Sequence, residues 1–323
     1  MSSSRSDFLK QAAGATIAVA GVGVGAGALA EPAAAVLNNQ RVRLLELENV
    51  NVGRLADASG GDPEFDVVIA DHDADGNPDK LLGGLSHSSE FTIEVGAGMS
   101  KPMYDWISSS ITDPTVRKNG SIIAADFNHR ELARRTFTNA QITSLTIPHL
   151  VNRPQSFPSL TVTFTADSVS DESPSSTPSI GPPHKQWLTS NFRLLPTTGW
   201  PSNGFPSNGR VASIDSFTWK CSRVAGSPPT NDPGDLACTL APAAVPAWQQ
   251  WYDNFALVGD SSDERAAVLT VYSQVPQVPL FTVTVSGMGI FSFPPPPPGV
   301  ASKPKAKVYI SRFSWDLAKG KGA

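Results

Sequence analysis

Phe91-Thr92-Ile93-Glu94-Val95 alternates apolar and polar residues as a half-buried strand does. Pro102-Met103-Tyr104-Asp105-Trp106-Ile107-Ser108-Ser109-Ser110-Ile111 follows, with Met103, Trp106, Ile107 and Ile111 at helical spacing. Arg117-Lys118-Asn119-Gly120 then reads as a turn and 121–127 as a further strand. A shift of 145 residues brings the pattern back without a gap. Phe91, Ile93 and Val95 become Leu236, Cys238 and Leu240; Met103, Trp106 and Ile107 become Trp248, Trp251 and Tyr252; Ile123 and Phe127 become Val268 and Tyr272. Both copies continue with an alternating strand, Thr136-Phe137-Thr138 and Leu280-Phe281-Thr282-Val283. Both end in another, Leu160-Thr161-Val162-Thr163-Phe164 and Val308-Tyr309-Ile310-Ser311-Arg312-Phe313. A recurrence on this scale is an internal repeat.

The repeat sets the organisation of the 323 residues. Two β domains, 36–167 and 184–317, are expected on either side of a Ser/Pro-rich linker, 168–183. The fold class is mainly β, two tandem barrel or sandwich domains with one short α-helix each, anchored on its sheet by Trp106 or Trp251. Pro294–Pro298 cannot pair inside a sheet, so it is expected as a stiff exposed loop, a candidate contact surface. Only 17% of residues are charged and the net charge is −4, which leaves no basic field for recognising nucleic acid.

Residues 1–30 have the layout of an export signal: Arg5 and Lys10, an uncharged Ala/Gly/Val run, and the small-x-small end Ala28-Leu29-Ala30. The start is twin-arginine-like, with Ser6 where the second arginine would stand. Retained, the same run is a membrane anchor, the chain's one expected membrane contact. An exported chain would favour a disulfide between Cys221 and Cys238, set on neighbouring alternating strands; two buried thiols are the alternative.

Asp71, Asp73 and Asp75, with Gly76, have the alternation of a calcium loop, but Leu82 stands where the twelfth-position glutamate belongs, and a solvated hairpin turn fits the stretch too. Calcium is the one cofactor these residues suggest. The histidines His72, His87, His129, His149 and His184 form no zinc spacing, and no nucleophile elbow or phosphate loop occurs. The acids Asp57, Asp62, Glu64 and Asp66 cluster without a motif around them, and Arg117-Lys118 and Arg134-Arg135 read as exposed strand ends. No catalytic residue is assigned and the chain is not expected to be an enzyme.

Four stretches of the first copy carry a family resemblance: Lys80-Leu81-Leu82-Gly83-Gly84-Leu85, Tyr104-Asp105-Trp106-Ile107, Arg117-Lys118-Asn119-Gly120-Ser121-Ile122-Ile123 and Phe137-Thr138-Asn139-Ala140. Together they resemble the phage tail-tube family, shared by contractile injection systems. The resemblance implies tube-like β-barrel domains that assemble into sixfold rings around a lumen. It implies a structural role beside other tail or baseplate proteins. A tandem chain would build a pseudo-sixfold ring as a trimer, as hub-type proteins do. The leader implies export or membrane association, against cytoplasmic assembly into a particle. The alternative function is an exported two-domain β protein that binds a surface ligand such as carbohydrate.

Overall fold

The computed structural model describes residues 42–317 except 73–77, 97–98, 127, 129, 152–157, 175–186, 199–210, 223–228, 274–277 and 295–302. The leader 1–30, Asp73, Asp75 and the proline run after Pro294 lie outside the described residues.

The first half closes a six-stranded barrel. Its strands are β1 (Val42–Leu47), β2 (Val50–Ser59), β5 (Phe91–Val95), β6 (Lys118–Ala125), β7 (Glu131–Ile147) and β9 (Leu160–Thr165). They pair in the order β7-β6-β1-β2-β5-β9, and β9 returns to β7. Closure pairs the first strand of this series with the last, while β7 runs past its barrel neighbours: 131–140 faces β6 and 141–146 faces β9, so an edge of each half of β7 is left for other strands. The alternation of apolar residues decides which face turns inward. Phe91, Ile93 and Val95 of β5 and Leu160, Val162 and Phe164 of β9 are all buried. Phe91 stacks on Phe164 with ring centroids 4.8 Å apart, and Trp106 leans on the same ring at 5.4 Å from helix α1 (Lys101–Thr112). Pro102 suits the first turn of this helix, where an amide has no partner to lose. The helix stops at Asp113-Pro114, and the Asp113 carboxylate accepts from the Thr115 amide and hydroxyl.

The second half repeats this register. Its strands are β11 (Phe192–Thr198), β12 (Val211–Ile214), β15 (Asp235–Leu240), β16 (Arg265–Tyr272), β17 (Pro279–Ser292) and β18 (Lys305–Leu317), with helix α2 (Val245–Tyr252). The sheet runs β11-β16-β17-β18-β15-β12, the cyclic order of the barrel opened at one seam. Three bulges coincide. Lys118 and Gly120 face Ala140 and Phe137, with Asn139 at φ 52°; Arg265 and Ala267 face Met288 and Val285, with Gly287 at φ 60°. Ile142 and Ser144 face Phe164 and Thr163; Ile290 and Ser292 face Val308 and Lys307. Leu55 and Asp57 face Val95 and Glu94; Val211 and Ser213 face Leu240 and Thr239. The gap-free shift of 145 therefore changes along the chain. It holds from β5 to β15, but Lys118 corresponds to Arg265 and Ala140 to Met288, two and three residues further on. Ile123 thus aligns with Thr270 rather than Val268. Two of the extra residues follow α2, where a π-helical turn (Asp253–Leu257) widens the connection, and the third falls between Arg265 and Met288.

The halves exchange strands. β8 (Leu150–Val151) leaves the first half to pair with β12. The hairpin of β13 (Phe217–Ser222) and β14 (Thr230–Asp232) leaves the second half to pair with the C-terminal end of β7. Buried side chains of both halves form one continuous cluster. The stretch 168–183, expected as a linker, opens as strand β10 (Ser168–Glu172), paired to the N-terminal end of β7. It pairs because Ser168 and Thr138 share a hydroxyl bond of 2.6 Å and Arg135 grips Asp171.

Candidate functional site

The built feature of the surface is the seat of the β13–β14 hairpin on the first half. Phe217 faces Ile147 and Lys220 faces Ser144 across an antiparallel ladder. Phe217, Trp219 and Cys221 point into the core and are buried. The Thr146 and Thr218 hydroxyls bond at 2.8 Å, and the Ser216 hydroxyl donates to the Ile147 carbonyl at 3.1 Å. The hairpin also covers the end of α1: Asn231 Nδ2 donates to the Ile111 carbonyl at 3.2 Å. Beside it Gln141 Nε2 donates to the Pro114 carbonyl at 2.6 Å and lies 3.8 Å from Cys221 Sγ. A cleft of about 440 Å³ runs along this seam, lined by Glu90, Arg117, Gln141, Asp167 and Cys221 among others.

Two of the four stretches that resemble the tail-tube family meet structurally. Asn119 Oδ1 accepts from the Asn139 amide at 2.9 Å, so the Asn-Gly-Ser turn and the Phe-Thr-Asn-Ala strand hold one another. The Asn119 amide donates to Glu48 Oε1 at 2.8 Å and its carbonyl accepts from the Glu48 amide at 2.9 Å. Gly120 is required here: a Cβ would lie 2.3 Å from the Glu46 carbonyl oxygen and 2.7 Å from the Phe137 ring. Asn at 139 suits a bulge in the left-handed region.

Arg134 and Arg135 are not exposed strand ends. Arg134 bonds Glu46 at 2.7 Å and Glu131 at 3.0 Å. Arg135 is buried and bonds Asp171 at 2.8 Å, Asp62 at 2.9 Å and the Gly60 carbonyl at 3.0 Å. The Asp171 bond raises its pKa further, against the opposing cost of burial. Sequence reasoning missed this because its partners lie 36 and 73 residues away. The acids follow suit: Asp62 serves Arg135 and Asp57 serves Arg43 at 2.9 Å. Arg135 thereby fixes the root of a second hairpin, β3 (Pro63–His72) and β4 (Pro78–Ser88), which forms a two-stranded sheet of its own.

Trp106 and Trp251 are both fully buried. Trp251 donates to the Asp263 carbonyl at 3.0 Å and carries the Arg265 guanidinium 4.7 Å above its ring. Cys221 and Cys238 form no disulfide; both are reduced and buried. β13 pairs with β14 and β7, whereas β15 pairs with β12 and β18, so the two cysteine strands, expected as neighbours, do not pair with each other. Burial pushes the Cys238 thiol up to about 12. Of the calcium-loop acids only Asp71 is described, in β3 opposite Asp79. Of the histidines, His149 is exposed. Among the described residues no three His, Cys, Asp or Glu side chains gather as a metal site, and no helix is long and apolar enough to cross a membrane.

No family model matches this chain, and no curated protein matches it. Solved structures do. A protein of the PVC sheath–tube complex, an extracellular contractile injection system in the extended state, is 20% identical over 44% of this chain and 99% of its own, with a TM-score of 0.34. The cap that terminates the tube of the anti-feeding prophage is 21% identical over 49% and 99%, with a TM-score of 0.35. Hcp1 from Flavobacterium johnsoniae is 20% identical over 41% and 95%, with a TM-score of 0.26.

Proposed function

We propose that this chain is a non-enzymatic structural subunit of a phage-tail-like or contractile injection particle, a tube- or hub-type protein with two tube-like units in tandem. One observation carries the reading: the bulged register of the barrel recurs in the second half, and the halves are joined by a hairpin of one seated on a strand of the other. That seat is a subunit-like contact made inside one polypeptide. The interlocked Asn119 and Asn139, in the stretches that resemble the tail-tube family, support it further. Assembly would place three chains in a ring with pseudo-sixfold symmetry, beside other tail or baseplate proteins. Mass photometry with negative-stain microscopy of the full chain tests this. Three-chain particles with a sixfold outline are expected, and a monomer at every concentration refutes ring assembly.

A further inference from the structure

We propose that the β3–β4 hairpin of one copy seats on the second half of a neighbouring copy, as β13–β14 seats on the first half within the chain. The inference rests on the proposed ring and names its contact surfaces. β3–β4 leaves the fold between β2 and β5, the place that corresponds to the departure of β13–β14 between β12 and β15. Its strands are ten and eleven residues long against six and three, and among the described residues they pair only with each other. A lone two-stranded hairpin is marginal in water. This one exposes Phe65, Val67, Val68, Ile69 and Leu82, the last 74% accessible. Arg135, through Gly60 and Asp62, holds its root in place.

The matching acceptor lies on the second half. In the first half β13 lies along β7 beyond the bulge at Asn139, and β14 covers the end of α1. The corresponding surface is β17 beyond Gly287 together with the turn after α2. Past Met288, β17 has β18 on one side, and no described strand on the other. Phe291 is exposed there, and the turn presents Leu257 and Val258, the latter 78% accessible. The large apolar side chains exposed among the described residues thus fall on these two surfaces, Val50 excepted. Pro294 stands where β7 has Thr146 and ends β17 early, so this seat offers fewer backbone bonds and relies on side chains. Donor and acceptor occupy different halves of the chain, which makes the contact head-to-tail. Three chains then present six similar seats, three within chains and three between.

The test uses two full-length variants, Val67→Glu/Ile69→Glu in the hairpin and Leu257→Glu/Phe291→Glu in the acceptor. Circular dichroism checks their folding and mass photometry reads their assembly. Each variant is expected to raise the apparent Kd of assembly at least about tenfold. An equimolar mixture is expected to form dimers and stop, since one intact hairpin meets one intact acceptor. Assembly unchanged in both variants overturns these surfaces while the ring stands. Variants that dissociate but do not pair in the mixture overturn the head-to-tail match. A wild-type chain that stays monomeric overturns the ring and this inference together.

Discussion

Trp106→Phe and Trp251→Phe remove the same atoms from two fully buried sites, yet they should cost different amounts. Each shrinks a core side chain and leaves a small void, worth about 1–2 kcal/mol. At Trp251 the indole N–H donates to the Asp263 carbonyl at 3.0 Å, and that carbonyl loses its partner on substitution, adding about 1 kcal/mol. The Arg265 guanidinium, 4.7 Å above the ring, prefers indole to phenyl and adds a few tenths more. At Trp106 the indole N–H is buried with no acceptor, so its removal returns about 1–3 kcal/mol and offsets the void. Trp251→Phe should therefore destabilise by about 2–4 kcal/mol and Trp106→Phe by about 1 kcal/mol or less. Urea unfolding, followed by fluorescence and circular dichroism, measures both. Equal costs, or the larger cost at 106, would refute the hydrogen-bond reasoning.

Other outcomes follow from single contacts. Gly120→Val should destabilise by more than about 2 kcal/mol or abolish soluble expression, because its Cβ meets backbone at 2.3 Å; Gly259→Ala, with open space around it, should cost only about 1 kcal/mol for its positive φ of 83°. Arg135→Met should cost about 1–3 kcal/mol and speed amide exchange across Ser168–Glu172, which hydrogen-exchange mass spectrometry reads directly. Reductant should leave the melting temperature unchanged, and mass spectrometry should find two free thiols. The folded state holds the Cys238 proton up to about pH 12, against 9 for the unfolded group, so this residue's contribution to stability should be full below pH 9 and fall as pH climbs toward 12.

What could be read from sequence was what local periodicity records. The alternation in 91–95 and 236–240 and the helical spacing around Trp106 and Trp251 are features of single elements, and they mark β5, β15, α1 and α2. Strand partners are not written that way. Phe217-Thr218-Trp219 alternates equally well for a hairpin with 235–240 and for a ladder with β7, and only the geometry of the whole decides between them. The cysteine pair fell with that choice. Arg134-Arg135 looked like a solvated pair because its carboxylates are distant in sequence. Ser168–Glu172 looked like linker because its Ser, Asp and Glu are polar; as the outer strand on β7, four of its five residues face solvent. The two extra residues after α2 leave no local signal, because the π-helical turn lengthens the connection to β16 without changing the helical spacing of α2 or the alternation of β16.

The exchange of β13 has a consequence for how the protein is made. Synthesis from the N-terminus completes all six barrel strands once Thr165 has left the ribosome. The C-terminal edge of β7, from Ser144 to Ile147, then stays bare until Phe217–Ser222 has also been translated. During that interval the nascent chain displays a strand edge and the apolar surface that Phe217 and Trp219 later cover, an invitation to pair with a neighbouring nascent chain on the same message. Slow codons between the halves would prolong the exposure, and a chaperone bound to the emerging first half would shield it.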